Sequence, residues 1–360
     1  MLLSFFLKRK KGPPPRRFCL DQTHVTILRT GKEWSRMRES IGRNRQEGKR
    51  KGFNFRNWTI LYMDIALFLF LAATRPNFLK FNNIHSMFFE TAFLFFASVG
   101  FTLLIIMGEL DLSVGSMFGF GGSMLGLFVF SWKLPAGPAI ALAVLLSALI
   151  GYAVGILITA FRVNSMMLTI GVMIAAKGLN WMLINMFMGK QLPAAARGFI
   201  STTVFGISWL VWLMLAFAIL FEVFLNRSKP LKQLYYIGSN SETAVIFGIN
   251  TSRVKHICFA ASAALSTFGG ALMTARVKAP NVTVGSNLEI RILTAAVISG
   301  ASIYGGRGSV FRTMLGVLFV FMLQNGMTAY RIGSYIQQII LGFILVLAIY
   351  LDIRMNEKKA

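Results

Sequence analysis

The sequence is dominated by repeated windows of mostly apolar residues, each bounded by polar residues or by Pro and Gly. A transmembrane α-helix needs about 20 consecutive apolar residues to cross the bilayer core. The windows therefore predict an all-α, polytopic membrane helix bundle of about ten transmembrane helices. Some helices are expected to be broken or half-length, especially the third and eighth. The windows lie roughly at 58–74, 86–107, 112–131, 138–161, 166–188, 206–226, 255–275, 289–304, 309–328 and 334–352.

Composition agrees with a membrane protein. Hydrophobic residues make up 55% of the 360 residues, and charged residues only 14%. A water-soluble domain carries about a quarter charged residues. This chain therefore lacks the polar surface that would keep a folded globule in water.

Half of the positive charge lies before the first window. The formal net charge is +24, and residues 1–57 hold 16 Lys or Arg against 4 acids, a net +12. Basic residues beside a first span indicate a cytoplasmic end. With Pro13-Pro14-Pro15 and no apolar periodicity, 1–57 is predicted to be a basic, disordered cytoplasmic tail. This placement argues against a nucleic-acid partner.

The start of translation has two alternatives. Lys32 and Glu33 would be encoded by AAR-GAR shortly upstream of Met37, which resembles a bacterial ribosome-binding site. Either Met37 is the initiator and residues 1–36 are an artefact of annotation, or the whole tail is translated.

Ten spans and a cytoplasmic N-terminus place both termini in the cytoplasm. Lys and Arg in the connections favour the same orientation. The predicted organisation is a transmembrane domain over 58–352, which includes a long cytoplasmic loop at 227–254, and a cytoplasmic C-terminus at 353–360.

The sequence offers no set of residues for catalysis or metal binding. Cys19 and Cys258 make no disulfide framework, and three scattered His make no ligand cluster. No Walker A motif is present, so the chain is not expected to hydrolyse ATP itself. The sequence predicts no enzyme activity, no metal and no cofactor in this chain.

A polar segment, GELDLSVGS at 108–116, separates the second and third windows. A charged residue at the bilayer centre costs about 3 kcal/mol, so its two carboxylates are expected to meet water or protein. Asp111 either caps the following helix or acts in a hinge or partner contact. Ser113 and Gly115 complete the motif, and Gly115 begins a run of small residues that favours close helix packing.

The loop after the sixth window contains a short helix signal. Ser239 and Glu242 match the capping box S-x-x-E, and Gly248 suits the left-handed residue that ends a helix. So short a helix is unstable alone in water. Its apolar side chains predict that it packs either on a partner or on this chain's own helix ends.

A glycine-rich segment, GGRGSVF at 305–311, joins the eighth and ninth windows. It does not match a phosphate-binding loop. It predicts a tight turn between two spans, with Arg307 toward the cytoplasm.

Neutral amide side chains inside the spans are candidates for a transport path. Amides offer donors and acceptors to sugar hydroxyls without a charge, but they also make hydrogen bonds between helices. Both interpretations stay open for Asn180, Asn185, Gln324, Asn325, Gln337 and Gln338.

Three segments, in this order and spacing, resemble the permease family of ribose-type ABC sugar importers. They are GELDLSVGS (108–116), IGSNSETAVIFGIN (237–250) and GGRGSVFRTMLG (305–316), with NLE (287–289) and LQNG (323–326) in support. The family-motif positions are Asp111, Ser113, Gly115, Glu289, Gly305, Gly306, Arg307 and Gly308. Three departures are Arg291 where such permeases usually have Asp, Lys177 where they usually have Arg, and Gly108-Glu109-Leu110 where Gly-Gly or Gly-Val usually precedes Asp-Leu-Ser. These departures leave the substrate open.

The resemblance implies a multi-pass permease subunit of the bacterial plasma (inner) membrane. Its partners would be a second permease chain of the same or a different kind, ABC ATPase subunits inside, and a periplasmic or lipoprotein sugar-binding protein outside. ATP and Mg²⁺ would bind to the ATPase subunits. The loop helix would be the element that couples to the ATPase, with residues Ser239, Asn240, Ser241, Glu242, Ala244, Val245, Phe247 and Gly248.

Two alternatives to a sugar permease remain at this point. An ion-coupled secondary transporter would usually carry ionisable residues in the middle of its spans, and Glu90 and Glu222 lie near span ends by the predicted boundaries. Branched-chain amino-acid permeases of ABC importers share a weaker version of the same motifs.

Overall fold

The computed structural model describes residues 58–357, which form a bundle of α-helices. The predicted tail, 1–57, and residues 358–360 lie outside the described residues. The helices are α1 Thr59–Thr74, α2 Phe81–Ile106, α3 Val114–Phe130, α4 Ala136–Phe161, α5 Ser165–Asn185, α6 Ala194–Arg197, α7 Trp209–Arg227, α8 Lys229–Ser239, α9 Ser241–Ile246, α10 Thr251–Val277, α11 Leu288–Ile298, α12 Val310–Ala329 and α13 Ser334–Glu357. Short 3₁₀ turns lie at Pro76–Leu79 and Gly198–Ser201, and a small antiparallel hairpin pairs β1 Thr203–Val204 with β2 Ile207–Ser208.

Seven of these helices are long and apolar enough to cross a membrane: α2, α4, α5, α7, α10, α12 and α13. Helices α1 and α3 are apolar but have only 16 and 17 residues, and α11 has 11 residues. Each of the ten predicted windows thus contains a helix. The prediction of an all-α membrane bundle is confirmed.

Helices α2 and α10 form the centre of the bundle. The apolar stretch of α2 is almost wholly buried, and it contributes Phe93, Phe95, Phe96 and Phe101 to the core. Helix α10 packs along α4, α3 and α2. Helix α13, in contrast, is mostly uncovered. Apolar surface on outer helices is what a lipid environment permits.

The connection between α10 and α11 runs back along α3 without helical structure. Pro280 contacts α3 near its end at Gly126, and the backbone of Gly285 contacts its first turn at Gly115. A Cβ at Gly115 would lie 2.8 Å from the Gly285 carbonyl oxygen, a backbone atom that cannot rotate away, so glycine allows this approach. Helix α11 consequently begins next to the start of α3 and fills only part of the predicted window 289–304.

Candidate coupling surface and transport path

The long polar loop of 227–254 folds into two helices, α8 and α9, joined at Asn240. The capping prediction at this point is wrong. Asn240 Oδ1 accepts the Thr243 N–H at 2.8 Å and caps α9. Ser239 is instead the last residue of α8, and its hydroxyl donates to the Tyr235 carbonyl at 2.8 Å. Glu242 lies in the first turn of α9, where its negative charge faces the positive end of the helix dipole.

The predicted end of α9 is confirmed. Gly248 has a φ of +80°, which is the left-handed conformation that glycine adopts without strain. The Gly248 N–H donates to the Val245 carbonyl at 2.9 Å, and the Ile249 N–H donates to Ala244 at 3.1 Å. These two bonds define a Schellman motif. The short helix is therefore closed at both ends.

Helix α9 presents apolar side chains to solvent. Ile246 is 82% exposed and Phe247 is 80% exposed, and Val245 is also exposed. Ala244 is only 2% exposed, because it packs on the core of its own chain. A cavity of about 540 Å³ lies between α8 and α9, beside Ala244 and Phe247. We call Val245, Ile246 and Phe247 the α9 surface.

Helix α8 was not predicted from the sequence. Its apolar residues Leu234 and Ile237 are three apart and buried, whereas Lys232 and Tyr236 are exposed. This spacing is the signature of an amphipathic helix, and Pro230 in the first turn is a common helix start. These two signals together could have revealed it.

Helix α8 joins the membrane helices at a backbone junction that we call the glycine junction. The Gly306 N–H donates to the Ile106 carbonyl at the end of α2 at 2.8 Å. Gly238 of α8 lies close to the Gly306 N–H and to the Ile106 carbonyl. A Cβ at Gly238 would overlap the Ile106 oxygen. Gly305, at φ +87°, contacts Gly238 and the backbone of Gly108. The predicted tight turn thus brings three segments together.

Side chains also anchor the glycine-rich turn. The Tyr235 hydroxyl donates to the Gly308 carbonyl at 3.0 Å. Burial, together with the nearby Glu222 carboxylate, raises the pKa of Tyr235 to about 12 even though Arg312 acts in the opposite direction. The phenol therefore stays protonated, and remains a donor, at neutral pH.

Two carboxylates hold the ends of this turn, a role that the sequence analysis predicted for neither of them. Glu222 Oε2 accepts from the Ser309 hydroxyl at 2.9 Å and from the Phe311 N–H at 3.1 Å. Asp352 Oδ2 accepts from the Ser302 hydroxyl at 3.2 Å and from the Ile303 N–H at 3.3 Å. The turn that contains Arg307 is thereby tied to α7 and α13.

Asp111 is buried at the start of α3. Its Oδ1 accepts from the N–H and the hydroxyl of Ser113, at 2.9 and 2.5 Å. Its Oδ2 accepts from the Ser262 hydroxyl of α10 at 3.0 Å. Asp111 therefore holds the turn that precedes α3 and ties it to the central helix. Glu109 lies in the same segment and forms an ion pair with Lys255.

Several amides proposed for a path are engaged within the chain. Asn180 Nδ2 donates to the Ser116 carbonyl, and its Oδ1 accepts from the Ser123 hydroxyl, both at 2.8 Å. Asn325 and Asn83 form a reciprocal amide pair. Gln337 donates to the Ile332 carbonyl at 2.9 Å.

The other three amides lie apart from these networks. Asn185 and Gln338 are exposed, and Gln324 is half-buried. The structure does not bring the six amides together into one cluster. Hydrogen bonds between helices account for both amide atoms of Asn180.

A charged group lies beside Asn180. The Lys177 Nζ is 3.4 Å from Glu289 Oε1. The Lys177 side chain is 42% exposed and the Glu289 side chain 9%. Glu289 Oε2 is buried and has no hydrogen-bond partner among the described residues. Sequence reasoning named each of these two residues but did not pair them, because they are 112 positions apart.

Within the described residues, seven helices long and apolar enough to cross a membrane define a polytopic membrane protein. The family model for the permease component of the branched-chain amino acid transport system matches residues 83–349. The chain belongs to this family, whose members are transport subunits and not enzymes.

Three curated relatives illustrate the family. The probable ABC transporter permease protein YphD of Escherichia coli K12 is 31% identical over 84% of this chain and 90% of its own length. The ribose import permease protein RbsC of the same strain is 27% identical, over 82% and 92%. The L-arabinose ABC transporter permease protein AraH of Azospirillum brasilense is 27% identical, over 84% and 89%. No solved structure is significantly similar to this chain.

These findings confirm the resemblance to the ribose-type ABC permeases. The chain is a permease subunit of an ABC importer in the bacterial inner membrane. The alternative of an ion-coupled secondary transporter is not favoured.

Proposed function

We propose that this subunit moves a monosaccharide or a similar small polar solute into the cytoplasm. The solute would arrive on a periplasmic or lipoprotein binding protein and pass along a path between this chain and a second permease chain. The names of the relatives for ribose and L-arabinose support a sugar. The branched-chain amino acids in the family description are the alternative substrate class.

The observation that carries the proposal is the α9 surface. Three apolar side chains stand exposed on a helix that is capped at both ends and anchored through the glycine junction. An exposed apolar patch marks a contact with another protein or with a membrane. We infer that ATPase subunits, which bind ATP and Mg²⁺, dock on this surface. Movement of α8 and α9 then reaches α2 and α12 through the turn at 305–308.

The proposed topology has ten passes and two cytoplasmic termini. Helices α1, α3 and α11 are too short to span the membrane alone. In the ten-pass topology, each of them crosses together with the non-helical segments that continue it through the bundle. The transmembrane domain is 58–352, with the coupling loop 227–254 inside, the basic tail 1–57 before it and the C-terminus 353–360 after it.

Reporter fusions test this topology. Alkaline phosphatase, which is active only outside, should be inactive when fused after Lys359 and active when inserted within 189–204, the connection at the opposite end of the bundle. A cytoplasmic fluorescent reporter at the same two sites should give the complementary pattern. The reverse pattern at both sites would contradict the predicted orientation. If the same reporter were active at both sites, the predicted number of ten membrane passes would be wrong.

Cross-linking tests the partner of the α9 surface. Ile246→Cys, in a background with Cys19→Ser and Cys258→Ser, should form a covalent adduct with the ATPase subunit in membranes that contain the whole importer. Ile246 is suitable because it is exposed, whereas Ala244 is buried. The matched control is Phe205→Cys, which is almost fully exposed in the hairpin at the opposite end. An adduct at Phe205→Cys only, or no ATPase adduct at all, would refute the docking.

A further inference from the structure

A small polar cavity lies between α5 and the non-helical segment 278–287. Its volume is about 50 Å³, and its lining includes Lys177 and Trp181 of α5 together with Ser286. One water molecule needs about 10–15 Å³ of such space. The cavity therefore admits one or two hydroxyl groups of a larger molecule. The rest of that molecule would lie against the exposed parts of these three side chains.

The cavity lies inside the membrane. Helix α5 starts at the connection 162–165, which is cytoplasmic in the proposed topology. At 1.5 Å per residue, Lys177 and Trp181 are about 18 and 24 Å along α5 from Ser165, and the apolar core of a bilayer is about 30 Å thick. A charged side chain at such a depth faces protein or a water-filled cavity. The Lys177 side chain is 42% exposed, so its exposed part faces the path between the permease chains.

The segment 278–287 leads to the same conclusion independently. It has no helical structure, and the backbone of Gly285 contacts Gly115 in the first turn of α3. Ser286 and Asn287 are exposed. Irregular backbone at membrane depth is tolerated only where it is buried in protein or lines a water-filled cavity. The exposed side of this segment therefore also faces the path.

The charges around the cavity favour an uncharged solute. Lys177 is the only charged residue among the described residues that line it, and Glu289 Oε1, 3.4 Å from the Lys177 Nζ, compensates its charge. The Glu289 side chain is only 9% exposed. Asp111, the neighbouring carboxylate, is buried and accepts three hydrogen bonds from Ser113 and Ser262. An anion would have to compete with Glu289, and an ammonium group would meet no exposed carboxylate.

The three exposed side chains match the two kinds of surface on a sugar. The Lys177 ammonium has three N–H donors for hydroxyl oxygens. The Ser286 hydroxyl donates to the Val282 carbonyl at 3.3 Å, which leaves its lone pairs free to accept from a hydroxyl group. Trp181, one helical turn from Lys177 and 58% exposed, offers an apolar ring face to C–H groups. A few polar groups beside an aromatic surface are typical of a small-molecule site.

We propose that Lys177, Trp181 and Ser286 form a binding site for an uncharged sugar within the transport path. Lys177 donates to a hydroxyl oxygen, Ser286 accepts from a hydroxyl group, and the Trp181 ring packs on a C–H face. Glu289 is a positioning residue that holds the Lys177 ammonium and compensates its charge. This inference rests on the proposed import function and adds the contact residues and the absence of charge on the solute.

Cysteine labelling tests whether the site faces water. Trp181→Cys, with Cys19→Ser and Cys258→Ser, is treated in the whole importer in nanodiscs with two methanethiosulfonates, one anionic (sulfonatoethyl) and one cationic (trimethylammonium-ethyl). Both should react. The matched control is Leu145→Cys on α4, which should react with neither. Leu145 is 57% exposed, and it lies as many residues from the cytoplasmic end of α4 as Trp181 does from that of α5.

The charge preference of the labelling tests the class of solute. After correction for their rates with a free thiol, the two reagents should react with Trp181→Cys at similar rates, because Glu289 compensates Lys177. Glu289→Gln should raise the ratio of the anionic to the cationic rate about tenfold, whereas a purely structural role of Glu289 would leave the ratio unchanged. A tenfold anion preference before this change, no reaction at Trp181→Cys, or equal reaction at Leu145→Cys would overturn the site.

Uptake measurements test the contacts with the solute. Mass spectrometry of the solute that co-purifies with the importer's own binding protein should identify an uncharged sugar, and a sugar acid or an amino acid would overturn the class. Uptake of that sugar per ATP hydrolysed should fall about tenfold when Lys177→Met and Trp181→Leu are combined, because a hydrogen bond to a charged group and an aromatic contact are lost.

The control for uptake is Trp212→Leu, which removes another exposed Trp near the outer end of the bundle, on α7. It should transport as the wild type does. Equal uptake by the double variant and by Trp212→Leu would overturn the site alone. A wild-type importer that moved no such sugar with ATP would instead refute the import function, and this inference with it.

Discussion

Phe247→Asp should strongly reduce ATP-driven uptake while leaving the membrane level of the subunit unchanged. Phe247 is 80% exposed and follows the last turn of α9, so a carboxylate there is solvated in the free chain and costs little stability. Docking of an ATPase subunit would bury it without a partner. Loss of a central aromatic contact costs about 2 kcal/mol or more, and a buried unpaired charge adds to that cost. Uptake by the reconstituted importer should fall at least about tenfold.

The matched control is Phe205→Asp, which changes the same residue type at an even more exposed position at the opposite end of the bundle. It should leave basal and binding-protein-stimulated ATP hydrolysis of the complex as in the wild type. Phe247→Asp should remove the stimulation and weaken co-purification of the ATPase. Normal uptake by Phe247→Asp would mean that the α9 surface does not dock the ATPase.

Local patterns in the sequence predicted the helices well but not where one helix ends and the next begins. Gly248 ends α9 as predicted, because a left-handed residue after a short apolar run has few alternatives. The N-cap was placed one residue too early. Ser239, Asn240 and Ser241 are all good caps, and the choice was decided by α8, which extends through Ser239. An amphipathic helix in a basic loop lies outside any apolar window, and only the spacing of Leu234 and Ile237 after Pro230 indicates it.

The eighth window was predicted to be broken or half-length, and the 11 residues of α11 confirm this, but the residue at which the helix ends was not predicted. Apolar composition over 289–304 cannot distinguish a spanning helix from a helix of 11 residues followed by a glycine-rich turn. What divides the window is the anchoring of that turn by Glu222 and Asp352. Both partners are distant along the chain, so a local pattern that indicates the glycine-rich turn does not show which residues anchor it.

The path candidates illustrate the same point for function. From the sequence alone, Asn180 could either line a transport path or make a hydrogen bond between helices. The structure gives it two bonds to α3, from residues 57 and 64 positions away. Lys177 and Glu289 were noticed singly, and only the fold unites them. A resemblance in ordered motifs was sufficient for the family, whereas the geometry of the site required long-range contacts.

Gly238→Ala should uncouple transport more completely than any cap variant. A Cβ at this position would overlap the Ile106 oxygen and lie 2.5 Å from the Gly306 nitrogen. Both are backbone atoms that cannot rotate away, so α8 must shift and the Gly306–Ile106 hydrogen bond must weaken. Such overpacking costs about 1–3 kcal/mol and the lost bond about 1 kcal/mol. Asn240→Ala, which removes only the cap, costs about 1 kcal/mol and should leave partial uptake.

The glycine junction is small compared with the bundle, so Gly238→Ala should still insert and accumulate. Basal ATP hydrolysis of the complex should persist, while its stimulation by the loaded binding protein and uptake of solute should both fall at least about tenfold, as the predicted energetic cost implies. The control is Gly342→Ala on α13, where no atom lies within 4 Å of the added methyl group, and a helical Gly→Ala change is neutral or stabilising. Uptake by Gly238→Ala equal to that of Gly342→Ala would show that α8 moves independently of α2. In that case the force from the ATPase would have to enter the membrane domain by another contact.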